Sequence, residues 1–244
     1  MTGKVAIISG ASRGIGAGLV TGYRRQGWAV VASARMIKPS GDPDLLTVAG
    51  DIADPETAER IVGGALGRFG RIDTLVNNAG AFISKPFTDY TAADYALAVG
   101  ASLTGFFWLT QQAIAEMASR YGGHVVTVSA TLAEVKDPGT PAVLAALING
   151  GLAAATRSLA VEYASLGIRV NAVAPGVIQT PVHPADGYDG LGGRLGPPGR
   201  LLPLGRVGQV SDVVDGVLFL ESSPYITGEI LHIDGDPNRQ TVGR

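Results

Sequence analysis

Seven short apolar runs, most of them rich in β-branched residues, alternate with longer stretches of helical spacing along the 244 residues of the chain. The runs are Val5–Ser9, Ala29–Ser33, Leu45–Ala49, Thr74–Asn77, His124–Ser129, Arg169–Val173 and Ile230–Ile233. The helical stretches fall at about 15–26, 55–68, 92–120, 142–164 and 211–221. Alternation of this kind builds βαβ units, and repeated units build a parallel sheet. Hydrophobic residues make up 46% and charged residues only 16%, which suits a sheet covered by helices on both faces and leaves apolar surface for a subunit interface. The predicted fold is therefore one α/β domain over residues 1–244, a Rossmann-type doubly wound parallel sheet. Thr140 as a cap and Pro141 at the first helical position mark the start of the stretch near 142.

Charge and cysteine content exclude several functions. The formal net charge is -2, so neither nucleic acid nor an anionic membrane is expected as a partner. There is no cysteine, hence no disulfide, thiolate zinc site or thiol catalysis. No spacing of His and carboxylates suggests a metal site. The first residues enter a strand at once without the pattern of a secretory leader, and no apolar run is expected to span a bilayer. A soluble cytoplasmic protein is the expectation.

Gly10-Ala11-Ser12-Arg13-Gly14-Ile15-Gly16 follows the first strand and opens the first helix. Glycines there allow a tight turn and a close approach of backbone to a pyrophosphate, and the helix N-terminus faces its negative charge. Around this turn a resemblance becomes specific. SGASRGIG resembles the glycine motif of short-chain dehydrogenases/reductases. Leu75-Val76-Asn77-Asn78-Ala79-Gly80 is similar to their NNAG motif, and Arg169–Gly176, RVNAVAPG, to the segment that leads to Ile178 and Thr180. Tyr225-Ile226-Thr227-Gly228 followed by Asp234-Gly235 resembles their C-terminal signature, and Asp51 in GDIAD the acidic residue that meets the adenine ring.

The resemblance implies an oxidoreductase with a dinucleotide held by Gly10, Ser12, Arg13, Gly14, Ile15, Gly16, Arg35, Asp51, Ile52, Asn78, Ala79, Gly80, Pro175, Gly176, Ile178 and Thr180. Charge selects the form. A carboxylate near the end of the second strand suits the ribose hydroxyl of NAD, whereas an Arg suits the 2′-phosphate of NADP. Here Arg35 follows the second strand, Arg13 lies in the glycine turn, and no carboxylate appears before Asp42. Two guanidiniums grip a phosphate well, so NADP(H) is the expected cofactor, with a small-molecule substrate.

The family's catalytic pattern is a Ser after the fifth strand, a Tyr and a Lys four residues apart on the next helix, and an Asn on the preceding one. Carried onto this chain, the Tyr position is Ala145, the Lys position Asn149 and the Asn position Ser102. Ala130 falls at the usual Ser position, and Ser129 or Thr131 could supply the hydroxyl. Ala145 has no proton to donate and Asn149 no charge. General acid catalysis contributes about 10²–10⁴-fold, so an ordinary ketone reductase would be crippled, while an acceptor already carrying positive charge would suffer little. Substitute donors are His183, Lys136, Asp137 and Tyr188; each also reads as a solvated loop residue. Gly and Pro crowd the stretch Gly187–Pro203, read as a surface loop or as part of a substrate lid at about 181–206. Two functions remain open: an NADP(H)-linked oxidoreductase acting on a carbonyl, imine or activated alkene, and a non-redox protein that senses the nucleotide or catalyses cyclisation or elimination. The resemblance also implies a homotetramer or dimer through the helices at about 92–120 and 142–164, whose small residues Ala145, Ala146, Gly150, Ala153 and Ala154 would permit close approach.

Overall fold

Seven parallel strands form one sheet, β1 (Val5–Ser9), β2 (Ala29–Ala34), β3 (Leu45–Ala49), β4 (Thr74–Asn77), β5 (Gly123–Val128), β6 (Ile168–Pro175) and β7 (Ile230–Ile233). Their order is β3-β2-β1-β4-β5-β6-β7. The order reverses between β1 and β4, and ligands of open α/β sheets bind at that point, outside the C-terminal strand ends. The computed structural model describes residues 3–120, 122–131, 141–180 and 204–235.

Side chains alternate across the sheet with the period of a strand. Val5, Ile7, Val31, Leu75 and Val125 face one core, which they share with helices α2 (Pro55–Phe69), α4 (Gly105–Ser119) and α5 (Val143–Tyr163). Ala6, Ile8, Val30, Val76 and Val126 face the other, against α1 (Gly14–Arg25) and α6 (Val210–Ser222). Helix α2 shows why its ends lie where they do. Asp54 caps the Glu56 N–H, Pro55 stands at the first position, and Gly70 closes the helix in the left-handed conformation, φ 75°.

Three expectations are corrected. The stretch predicted as one helix over 92–120 is α3 (Ala92–Val99), one π-helical turn (Gly100–Thr104) and α4. The chain of residues 52–53 crosses this turn so closely that a Cβ on Gly105 would lie 2.7 Å from the Ile52 side chain, and one on Gly100 would lie 3.3 Å from Ala53 Cβ. Helix α5 begins at Val143 behind Ala142, with no side-chain cap, so Pro141 precedes the helix, and Thr140 lies outside the described residues. Two helical runs, 92–119 and 143–166, do have the length and mean hydropathy (1.2 and 1.4) of a bilayer span. In this fold they carry apolar residues on two sides, one toward the sheet and one outward.

The opposite, N-terminal edge of the sheet holds a buried polar network. Glu221 Oε2 accepts hydrogen bonds from Tyr23 (3.0 Å), Thr74 (2.8 Å) and His124 Nδ1 (3.1 Å). His124 Nε2 faces two donors, Asn171 Nδ2 at 3.1 Å and Arg169 Nη1 at 3.4 Å. Asn171 cannot be turned over, because its oxygen accepts from the Glu229 N–H and its amino group donates to the Ile226 carbonyl. His124 therefore donates from Nδ1, accepts at Nε2 and is neutral. Burial lowers its pKa and outweighs the pull of Glu221. Burial alone would raise the Glu221 pKa, but the hydrogen bonds from His124, Thr74 and Tyr23 hold it below the ordinary value. The same burial pushes the Tyr23 phenol up and the Arg169 guanidinium down.

The sign of the resulting pH dependence follows. The unfolded chain binds a proton on His124 near pH 6.5 and the folded one does not. Stability is full above about pH 6.5 and falls as pH drops toward the lower folded pKa, with Glu221 adding to the loss below about 4.5. Urea unfolding between about pH 5 and 8 should show this slope. His124→Phe should flatten it while costing about 2–4 kcal/mol at pH 8, because Glu221 loses a donor.

Candidate functional site

At the switch point the ends of β1 and β4 are bolted together. Ser9 Oγ accepts from the backbone N–H groups of Asn78 (3.0 Å) and Ala79 (3.1 Å). Asn78 Nδ2 donates back to the carbonyls of Ser9 (3.0 Å) and Gly10 (3.2 Å). Gly10 turns with φ 65°, and a Cβ there would lie 2.9 Å from Ala79 Cα; one on Gly16 would lie 2.2 Å from the Gly10 carbonyl oxygen. Only glycine fits such an approach. The first turn of α1 has no acidic residue and no side-chain cap, so its leading N–H groups remain open to an anion.

The other segments converge on the same edge. A Cβ on Gly14 would lie 3.5 Å from the Thr180 side chain. The Gly176 N–H donates to the Ile233 carbonyl at 3.1 Å, which sets the exit of β6 beyond Pro175. Ile178 is buried and bridges Gly208. Ile15 packs on the second core. Asp51 is exposed and accepts from the Ala53 N–H at 3.0 Å, while Ile52 buries its side chain beside Gly105. Gly80 stands next to Ser102, with 3.4 Å from a Cβ position to the Ser102 hydroxyl. Ser12, Arg13 and Arg35 are exposed.

Charge differs between the two edges. Asp42, before β3 and near the start of β2 at the opposite edge, is bound bidentately by Arg24 at 3.0 and 3.1 Å. Its carboxyl is lowered by the Asp44 N–H and by Arg24. The side chains of Arg13 and Arg35 take no hydrogen bond or ion pair among the described residues. The glycine turn, the open helix N-terminus and two uncommitted guanidiniums fit a phosphorylated dinucleotide.

The hydroxyl candidates separate. Ser129, half-buried at the end of β5, donates to Asn149 Oδ1 at 3.2 Å, and Asn149 Nδ2 donates to the Ala145 carbonyl at 2.9 Å. Thr131 is buried and donates to the Ala174 carbonyl at 3.3 Å, so it turns away from this pair. Ser102 sits in the π-helical turn. With Ser9, Asn77 and Thr127 it lines a cavity of about 10 Å³, the size of one water. The Thr127 hydroxyl is buried there without a protein partner. His183, Lys136, Asp137 and Tyr188 lie outside the described residues. So does the proposed lid except for its last three residues, where Arg206 pairs with Asp212 at the start of α6. Ser9 was missed from the sequence. A hydroxyl at the last position of β1, next to the glycine turn, was the available signal.

The two close glycines should respond differently to alanine. Gly16→Ala has no room and should cost about 3 kcal/mol or more, whereas Gly14→Ala meets only a strained φ of 56° and should cost about 1–2 kcal/mol. Chemical unfolding of the two variants measures the order.

Residues 10–235 match the sequence family described as enoyl-(acyl carrier protein) reductase. The 3-oxoacyl-(acyl-carrier-protein) reductase FabG of Thermotoga maritima is 31% identical over 253 aligned positions, covering 96% of this chain and 98% of that protein. The solved structure of ElxO with NADP bound superimposes with a TM-score of 0.87 at 27% identity, over 98% of this chain and 100% of that one. The 3-ketoacyl-(acyl-carrier-protein) reductase of Brucella melitensis complexed with NADH gives 0.85 at 27% identity, over 96% and 98%.

Proposed function

Because the chain belongs to the short-chain dehydrogenase/reductase family, we propose that it is an NADP(H)-dependent oxidoreductase that reduces a small organic acceptor without the family's usual proton donor. The observation that carries the cofactor choice is the charge beyond the end of β2. The side chains of Arg35, just after the strand, and Arg13, in the glycine turn, are exposed and uncommitted, while Asp42 lies at the opposite edge by the starts of β2 and β3, held by Arg24. A 2′-phosphate supplies the anion those two cations lack. Solved relatives hold NADP in one case and NADH in another, so the local charge decides here. Gly10, Gly14 and Gly16 would receive the pyrophosphate on the N-terminus of α1, and Asn78 would keep the turn in shape. When bound, the reduced nicotinamide supplies a hydride.

The chain's own residues leave the proton unassigned. Ala145 offers a methyl group at the position from which a Tyr would donate. Asn149 carries no charge, and its amide is engaged by Ser129 and the Ala145 carbonyl. This engagement also supports a second reading, a non-redox protein that keeps NADP(H) as a ligand. The double change Ala145→Tyr with Asn149→Lys separates the two. A gain of ketone reduction means that only the proton machinery was given up.

Titration of the tryptophan-to-nicotinamide energy transfer tests the cofactor assignment. NADPH should bind at least tenfold more tightly than NADH. Arg35→Ala should lower NADPH affinity by about 10–100-fold with little change for NADH, since a charge-assisted contact to phosphate contributes about 1.5–3 kcal/mol. Equal binding of both nucleotides would defeat the NADP(H) assignment.

We also propose a homo-oligomer through α4 and α5. A groove of about 480 Å³ between them is lined by Phe106, Phe107, Ile114, Ala155 and Leu159. Phe107, Leu147 and Val161 are 53%, 63% and 81% exposed. Of the small residues first assigned to this face, Ala145 is buried, Ala153 packs toward β6 and β7 and Ala146 is half-buried, while Gly150 and Ala154 are exposed. An apolar stripe of this kind is complementary to a second copy of itself. Phe107→Asp should therefore lower the molar mass found by light scattering to that of a smaller assembly or the monomer.

A further inference from the structure

The hydrogen-bond polarity of the Ser129–Asn149 pair is fixed by a third group. The Ala145 carbonyl can only accept, so the Asn149 atom 2.9 Å from it is the amino group. The amide is thereby oriented, and the atom 3.2 Å from Ser129 Oγ is the amide oxygen. That oxygen can also only accept. The single proton of the Ser129 hydroxyl therefore points at Asn149, and what Ser129 presents elsewhere is lone pairs.

A carbonyl acceptor is badly served by such a group. Its oxygen needs a donor, all the more as negative charge develops on it. Ala145, one helical turn before Asn149, adds only a methyl group. A substrate with an N–H on the reacting double bond is served well. Its N–H meets an acceptor, and a charged donor makes the stronger bond.

On the reading that this chain moves a hydride from NADPH, we propose that the acceptor is a protonated imine, with its N–H donated to Ser129 Oγ and Asn149 acting as the positioning residue that turns the hydroxyl. The imine carbon accepts the hydride, the π pair of the C=N bond moves to nitrogen, and the positive charge there is neutralised. The products are an amine and the oxidised dinucleotide. No proton is delivered during the step, because the imine brought it. The chemistry thus needs neither a phenol at 145 nor a cation at 149, and a cation at 149 would repel the substrate.

Calorimetric binding to the NADP⁺-loaded protein tests this without turnover. The probes are 2-methyl-1-pyrroline below its own pKa, its N-methyl iminium salt, and 2-methylcyclopentanone as a ketone of similar size. The N–H iminium should bind at least tenfold more tightly than the ketone, and its affinity should fall as pH rises through the imine pKa. Ser129→Ala should weaken the N–H iminium by roughly tenfold and leave the N-methyl salt nearly unchanged. Asn149→Leu releases the Ser129 proton and should shift preference toward the ketone, which a merely structural role would not do. Ketone binding equal to or tighter than that of the iminium would overturn the proposal. So would loss of ketone affinity in Ser129→Ala, or failure of all three probes to bind a protein that binds NADP⁺; in these outcomes the oxidoreductase reading survives. Absence of NADP⁺ binding overturns both.

Discussion

The structure depends on how closely two strand ends can approach at the point where the sheet reverses direction. Four hydrogen bonds join Ser9 and Gly10 to Asn78 and Ala79 at the ends of β1 and β4, and this crossed clamp holds the glycine turn against the start of α1. Gly16 lies so near Gly10 that no side chain fits between them. The helix is thereby aimed with its open N–H groups over the crevice. The turn and the NNAG segment are held together by that contact, which leaves a crevice lined by open backbone N–H groups on this edge.

The two edges of the sheet divide the polar work. At the N-terminal edge, buried groups are matched in pairs. Glu221 has three donors, His124 has an acceptor on one side and donors on the other, and Asn171 is fixed at both ends. Such networks are costly when partly satisfied and specify one arrangement when complete. This one ties α1, β4, β5, β6, α6 and the 226–229 turn together. At the C-terminal edge the balance differs. Arg13, Arg35 and the first turn of α1 carry positive charge or open N–H groups without protein partners among the described residues. Unsatisfied capacity on one side and full satisfaction on the other separate the binding edge from the structural one.

Much of this was legible in the sequence because it is local or periodic. Strand positions followed from β-branched runs, and the glycine turn from its place between strand and helix. Features that arise from contacts distant in sequence were not legible. The π-helical break in the long helix comes from residues 52–53 crossing Gly100 and Gly105, about fifty residues away by the numbering. His124 read as an ordinary strand residue, because its partner Glu221 lies 97 positions later. The choice between Ser129 and Thr131 could not be made from spacing, since both follow β5. Burial and the Ala174 carbonyl remove Thr131 from the pair. The helix faces were also misjudged where small residues predominate. Ala145, Ala153 and Ala154 look alike in a sequence, yet the first two face inward.

On the proposed reading, Ala145 and Asn149 make sense together and not separately. A phenol without its neighbouring cation would keep a high pKa and donate poorly; a cation without the phenol would leave an unpartnered charge beside a helix. With alanine and asparagine the pair is neutral, and the amide of Asn149 has two neighbours to satisfy it, the Ala145 carbonyl and the Ser129 hydroxyl. The result is a small group of polar atoms with a defined direction, the Ser129 proton committed to Asn149 and its lone pairs left over. Direction is the property that distinguishes an N–H-bearing cation from a carbonyl of the same shape. A hydrophobic pocket cannot make that distinction strongly, whereas a site whose polar atom would be left unpaired by the wrong substrate can.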